Sequence, residues 1–129
     1  MIPGSLALMR HLKSKGVKLA VCSSSPKDNI DHVMEVCGYK KYLDFEISGE
    51  QLSHSKPFPD IYLKASEVLD VKPDECIVIE DSRIGIEAGK NANMFVIAYK
   101  DEKFKQDQSK ASIAFSSMKE ISDYIDNLI

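Results

Sequence analysis

The sequence has no tryptophan, few aromatic residues (8%) and no long apolar run. A helix needs about 20 consecutive apolar residues to cross a bilayer, and no stretch approaches that length. The start of the sequence also lacks the basic and then apolar pattern of a leader. We therefore expect a cytoplasmic protein with no membrane partner.

The sequence also has no strong excess of charge of one sign. The net charge is -3, and acidic and basic residues are interspersed along the chain. Recognition of a nucleic-acid backbone needs a basic patch or stripe, and the sequence contains none. We expect no nucleic-acid partner, so any phosphate that binds here should belong to a small molecule.

Cysteine is scarce. The three cysteines, Cys22, Cys37 and Cys76, are widely spaced, and each lies in an apolar run. An odd number at this spacing does not suggest a disulfide framework. We interpret them as small buried hydrophobic residues in a reducing compartment.

What the sequence does contain is an alternation of short apolar runs with apolar residues at helical spacing. Its 129 residues, 43% of them hydrophobic and 29% charged, are enough for one globular domain, 1–129. The alternation predicts an α/β fold, a Rossmann-like parallel sheet with helices on both faces. The predicted strands are 17–22, 45–48, 76–79, 95–99 and 113–115.

Helix signals lie between these strands. Gly16, Gly38 and Asn93 are residues that favour the end of a helix. Ser25 to Asp28 with Pro26 between them suits a helix start, and Ser117 with Glu120 is typical of a capping box. The apolar residues predicted to be buried by the helices are Leu8, Met9, Leu12, Ile30, Val33, Met34, Cys37, Ile61, Ala65, Val68, Leu69, Ile121, Tyr124, Ile125 and Leu128.

Polar residues that directly follow apolar strands are the first candidates for a site, because ligands of open parallel sheets bind at the carboxyl ends of the strands. Ser23, Ser24 and Ser25 follow the first strand, where hydroxyls and free amides at a helix start can bind phosphoryl oxygens. They could equally serve only the turn and the helix cap.

Two further segments add charge of both signs. Lys56 precedes Pro57 in a loop and can neutralise a phosphate dianion, although a loop lysine is usually just solvated. Glu80 and Asp81 follow the most apolar strand, where adjacent carboxylates suit a hard cation such as Mg²⁺. The alternative for Asp81 is helix capping. Together the hydroxyl, lysine and carboxylates predict a clamp for phosphate.

Three segments, 20–23, 55–62 and 78–88, resemble the motifs of the haloacid dehalogenase superfamily, in the branch of β-phosphoglucomutase and sugar-phosphate phosphatases. The resemblance implies catalytic Ser23 and Lys56, substrate-binding Ser24 and Ser25, and Mg²⁺ held by Glu80 and Asp81. It runs from residue 3 to about residue 99, with two small departures. Gly89 stands where the family usually has alanine, and Asn93 where it usually has glycine.

The large departure concerns the nucleophile. Family members begin with a central strand that ends in Asp-x-Asp, followed by a helical cap domain, and neither is matched here. Asp101 follows a strand, but the family has no nucleophile at that position. The resemblance thus implies a core that lacks its first, central strand, exposing two strand edges that invite strand donation or dimerisation.

The implied function is the carboxy-terminal core of a Mg²⁺-dependent phosphatase or mutase that acts on a small phosphorylated metabolite through an aspartyl-phosphate. This chain would supply the phosphate and metal ligands and would be inactive alone. The alternative is a catalytically silent remnant that binds phosphate or a partner chain. A receiver domain has the wrong motif order, and no Gly-x-Gly-x-x-Gly supports a dinucleotide fold.

Overall fold

The structure is a computed structural model that describes residues 4–100 and 106–129. Its strands are β1 (Ala20–Ser23), β2 (Phe45–Ser48), β3 (Ile77–Glu80), β4 (Phe95–Tyr99) and β5 (Ile113–Phe115). Its helices are α1 (Ser5–Ser14), α2 (Lys27–Val36), α3 (Asp60–Leu69), α4 (Arg83–Asn91) and α5 (Met118–Asp126). Within those ranges, none of the helices is long and apolar enough to span a bilayer.

The strands form two parallel sheets rather than one. β1 pairs with β2, and β4 lies between β3 and β5. Among the residues that the structure describes, β1 and β3 share no ladder. The α/β fold with parallel strands is confirmed, and the sheet is interrupted between β1 and β3, where the resemblance placed a missing central strand.

Helices cover both faces of the strands. On one face, a core cluster that includes Tyr62 of α3 and Ile86 of α4 packs on Ile47 of β2 and on Val78 of β3. This cluster crosses from one sheet to the other. On the opposite face, α1 and α5 pack on Ile97 of β4. A third cluster holds α2 through Ile30 and Met34.

Helix ends follow the signals in the sequence. Gly16 and Gly38 lie just beyond α1 and α2 with φ of 80° and 76°, a backbone conformation that glycine adopts without strain. Asn93, with φ of 61°, plays this part after α4. Ser117 caps α5 by accepting from the Glu120 amide, as predicted. α2 begins at Lys27, directly after Pro26, so the helix start predicted from Ser25 to Asp28 is confirmed, although no side chain caps it.

The predicted boundaries and buried faces need several corrections. β1 starts at Ala20 rather than Val17, because Val17 packs against the α1–α5 cluster before the strand begins to pair. Buried Tyr62 replaces Val68 on the inner face of α3. The side chains that were predicted to be buried but are exposed are Val33, Val68 and Leu128. Residues 101–105, among them Asp101, lie outside the described residues.

Packing explains why residue 89 is glycine rather than alanine. A Cβ added there would lie 2.7 Å from Val96 Cγ2 and 3.3 Å from Val78 Cγ2, so α4 lies too close to the sheet for alanine. We expect Gly89→Ala to destabilise the chain by about 1 kcal/mol net, since overpacking costs ~1–3 kcal/mol and better helix propensity returns up to ~1 kcal/mol. Urea unfolding measures this change.

The matched control for this prediction is Gly89→Ala combined with Val96→Ala. The smaller side chain removes the contact, so the alanine at residue 89 should then stabilise relative to Val96→Ala alone. An equal destabilisation by Gly89→Ala in both backgrounds would show that Val96 is not the cause.

Candidate active site

The serines after β1 form a turn whose hydrogen bonds are partly used. The Ser25 amide donates to Ser23 Oγ over 3.1 Å, and the buried Ser48 hydroxyl donates to Ser25 O over 2.6 Å. The Ser23 hydroxyl proton has no acceptor in the described ranges, and Ser24 is exposed. The turn is therefore held rigidly while one hydroxyl donor remains available.

Lys56 joins the two sheets. Its ammonium donates to the backbone carbonyl of Cys22 in β1 over 3.2 Å and to Glu80 Oε2 in β3 over 2.6 Å. The side chains of Lys56 and Glu80 are only 8% and 12% exposed, so this ion pair is buried. The lysine lies between β1 and β3, which share no ladder among the described residues. The peptide bond between Lys56 and Pro57 is cis.

Four donors surround the carboxylate of Glu80. Oε2 accepts from Lys56 and, over 2.7 Å, from the Tyr62 hydroxyl. Oε1 accepts from the Asp81 amide over 3.2 Å and lies 3.4 Å from Ser82 Oγ. Two carboxylate oxygens offer about four lone-pair sites, so the acceptor capacity of Glu80 is nearly filled.

The ionisation state of Glu80 follows from opposing effects on its pKa. Burial raises the pKa of Glu80, but the positive charge of Lys56 and hydrogen bonds from Lys56, Tyr62 and the Asp81 amide lower it more. Glu80 is therefore a carboxylate at neutral pH. Burial and then the charge of Glu80 raise the pKa of Tyr62, so its hydroxyl remains a donor. Burial raises the pKa of the Cys22 thiol to about 12, which leaves it unreactive.

A glycine makes room for the carboxylate. Gly85 lies in the first turn of α4, which Ser82 caps by accepting the Gly85 amide over 3.1 Å. A Cβ added at Gly85 would lie 2.1 Å from Glu80 Cδ. The space that the Glu80 carboxylate occupies therefore exists only because residue 85 has no side chain.

Asp81 is placed differently from Glu80. It is exposed, and its carboxylate makes no hydrogen bond or ion pair within residues 4–100 and 106–129. Its backbone carbonyl accepts from Gln108 over 2.9 Å, and Gln108 also donates to Tyr99 O over 2.7 Å. Ser82, not Asp81, caps the following helix, so an open carboxylate remains at the end of β3.

This carboxylate suits part of a magnesium site. Mg²⁺ in phosphate sites commonly uses one or two carboxylates, with substrate oxygens and water completing its six ligands. In the described parts of the chain, no three His, Cys, Asp or Glu side chains are grouped to hold a metal ion. Asp81 fits as one ligand. Glu80 as a second ligand stays a prediction, because one of its four donors would have to leave.

The structure thus brings Lys56 and Glu80 into contact at the ends of β1 and β3, with Ser23 next to the Cys22 carbonyl that Lys56 binds. Ser24 and Ser25 are in the adjoining turn and make no hydrogen bond to Lys56 in the described part of the chain. Sequence reasoning missed Tyr62, Ser48, Gly85 and Gln108. Tyr62 had a signal, since it precedes Ala65 by three residues and shares its helical face. The other three depend on loop paths that no local pattern shows.

Parallel strands with a buried lysine–glutamate pair and an exposed carboxylate at their ends define an α/β protein whose candidate site lies at the carboxyl ends of its strands. A family model for haloacid dehalogenase-like hydrolases matches residues 1–99. The chain belongs to the haloacid dehalogenase-like hydrolases.

Curated relatives agree with this family. The chain is 41% identical over 98 residues to the bifunctional riboflavin kinase/FMN phosphatase of Arabidopsis thaliana, covering 75% of this chain and 26% of the relative. It is 37% identical over 92 residues to the phosphorylated carbohydrates phosphatase of Thermotoga maritima, covering 71% and 43%. The chain therefore spans less than half the length of either relative.

A solved structure supports the same branch. The β-phosphoglucomutase of Clostridium difficile superposes with a TM-score of 0.85 at 30% identity. The superposition covers 98% of this chain and 55% of that protein. The resemblance to this branch of the superfamily is confirmed.

Proposed function

We propose that this chain is the carboxy-terminal part of the core of a Mg²⁺-dependent phosphatase or β-phosphoglucomutase-like phosphotransferase. Its substrate would be a small phosphorylated metabolite, of the sugar-phosphate class that its relatives' names suggest. The observation that carries the proposal is the buried ammonium of Lys56, held between Cys22 O and Glu80 at the meeting point of the two sheets. Cytoplasmic location stays a prediction.

The residues present can neutralise and orient a phosphoryl group. Lys56 has three protons, of which the structure uses two, so the third can donate to a phosphoryl oxygen. Ser23 has a hydroxyl proton to give, and the start of α2 adds free backbone amides. Bound at Asp81, Mg²⁺ would supply further positive charge where the substrate gains negative charge.

The nucleophile belongs to none of these residues. In the proposed reaction an aspartate on a strand between β1 and β3 attacks phosphorus, the P–O bond to the substrate's alcohol breaks, and the alcohol leaves with a proton from the second aspartate of Asp-x-Asp. Water or a sugar hydroxyl, deprotonated by that second aspartate, then takes the phosphoryl group and frees the first aspartate. That strand would come from another segment or from a partner chain by strand donation or dimerisation. The 129-residue chain is thus expected to bind phosphate without catalysing phosphoryl transfer.

The second candidate is a silent remnant that binds phosphate or a partner chain. The unpaired facing edges of β1 and β3 in the described residues favour it, because such edges present free donors and acceptors to another chain. Activity distinguishes the two candidates. A longer protein that contains the Asp-x-Asp strand should hydrolyse p-nitrophenyl phosphate with Mg²⁺ if the first proposal is right, and should not if the chain is a remnant.

We expect Ser23→Ala to weaken the binding of inorganic phosphate by the 129-residue chain about tenfold, the usual loss for one hydrogen bond to a charged group. Isothermal titration calorimetry with and without Mg²⁺ measures this affinity. Ser53→Ala is the matched control, since Ser53 is an exposed loop serine that makes no hydrogen bond among the described residues.

Two results would contradict the proposal. One is phosphate affinity that Ser23→Ala and Ser53→Ala leave equally unchanged. The other is hydrolysis of p-nitrophenyl phosphate by the isolated chain above the level of an Asp81→Ala variant, which would show that the nucleophile is already present.

A further inference from the structure

Tyr62 is the one aromatic residue that contacts both members of the buried ion pair in the described ranges. Its hydroxyl lies 2.7 Å from Glu80 Oε2, and its ring centroid lies 5.1 Å from Lys56 Nζ. The side chain is buried in the cluster that crosses both sheets. It is therefore fixed by packing before it makes either contact.

The two contacts restrict the orientation of the Lys56 ammonium. Lys56 and Tyr62 donate to the same oxygen of Glu80, so the hydroxyl holds in place the oxygen to which the ammonium donates. The ring lies beside the ammonium and limits where it can turn. Glu80 itself cannot rotate freely, because Gly85 packs against its carboxylate and the Asp81 amide donates to its other oxygen.

We propose that Tyr62 is a positioning residue: its hydroxyl fixes the Glu80 carboxylate, and through it the orientation of the Lys56 ammonium toward the phosphate site. The inference rests on the proposed function for the identity of the ligand. The arrangement of Tyr62, Glu80 and Lys56 on which it depends is independent of that ligand.

The test is Tyr62→Phe, which removes only the hydroxyl and keeps the ring against Lys56. Proton–nitrogen correlation spectra of lysine ammonium groups report on Lys56 directly, and its signal is assigned by its absence in Lys56→Arg. We expect a shifted Lys56 signal whose protons exchange with water about tenfold faster, the factor expected for one lost hydrogen bond to a charged group.

Tyr39→Phe is the matched control. Tyr39 is as buried as Tyr62, at 5% against 8% exposure, but it lies in the α2 cluster. General loosening of the core would alter the Lys56 signal in both variants, whereas positioning alters it in Tyr62→Phe alone. An unchanged signal in Tyr62→Phe, or an equal change in Tyr39→Phe, would overturn the proposal.

A double variant tests whether Tyr62 acts through Glu80. In a Glu80→Gln background, Tyr62→Phe should add little to the change in Lys56 proton exchange, and an undiminished effect there would refute the route through Glu80. Titration with inorganic phosphate adds a separate arm, in which Tyr62→Phe should bind several-fold more weakly. Absence of phosphate binding by the unsubstituted chain would refute the proposed function, while the ammonium signal would still decide the role of Tyr62.

Discussion

Replacing Lys56 by methionine should destabilise the chain by about 3–5 kcal/mol, because it leaves Glu80 as an uncompensated buried charge. Glu80 is 12% exposed and would keep only the Tyr62 hydroxyl on Oε2. The change also removes the link between the Cys22 carbonyl of β1 and the carboxylate of β3. Urea unfolding monitored by circular dichroism measures the loss, and phosphate titration should show that binding disappears.

Two further variants separate the buried charge from the loss of the lysine itself. Adding Glu80→Gln to Lys56→Met removes the charge while keeping a partner for Tyr62, so most of the lost stability should return, without phosphate binding. Lys119→Met removes an ion pair whose members are 85% and 64% exposed, and should change stability little. A Lys56→Met variant as stable as Lys119→Met would contradict the buried-pair account.

The Lys56–Glu80 ion pair also helps to connect the two sheets. Tyr62 and Ile61 belong to a buried cluster that includes residues of both sheets, and each fully buried side chain of this size contributes roughly 1.5–3 kcal/mol. Lys56 adds the polar link on the same side of the strands. Apolar packing thus holds the sheets together at the helices, while the Lys56 ammonium links them at the strand ends.

Much of this fold could be predicted from local patterns. β2 and β4 match their predicted bounds because each is a short apolar run between turn signals. Gly16, Gly38 and Asn93 mark helix ends because their φ values of 80°, 76° and 61° suit few other residues. Asp70 also takes a positive φ, 56°, at the end of α3, and no pattern indicated it.

The candidate site was only partly predictable. Ser23, Lys56, Glu80 and Asp81 could be selected because each is a polar residue after or near a buried strand. The oxygen atom that the lysine binds could not be predicted. Lys56 and Glu80 are 24 residues apart and meet through a loop whose path depends on tertiary packing. The different roles of adjacent Glu80 and Asp81 were hidden for the same reason: one faces Lys56 and the other faces solvent.

The substitution Gly85→Ala should be nearly as damaging as loss of the lysine, although it adds one methyl group to a helix. The new Cβ would lie 2.1 Å from Glu80 Cδ and 2.2 Å from Oε2, so the carboxylate must leave its position. It would then lose Lys56 and Tyr62, the donors on Oε2. We expect a loss of about 3 kcal/mol in urea unfolding, against a gain of up to ~1 kcal/mol from helix propensity.

The sign of the effect should depend on Glu80. In a Glu80→Ala background the added methyl meets no carboxylate, so Gly85→Ala should stabilise by up to ~1 kcal/mol through helix propensity. Gly49→Ala is a second control, because a Cβ there meets Ser24 Cα at an ordinary 3.5 Å and should change stability little. If Gly85→Ala destabilised the chain equally with and without the Glu80 side chain, the clash would lie elsewhere, and the carboxylate would not owe its place to the missing side chain of residue 85.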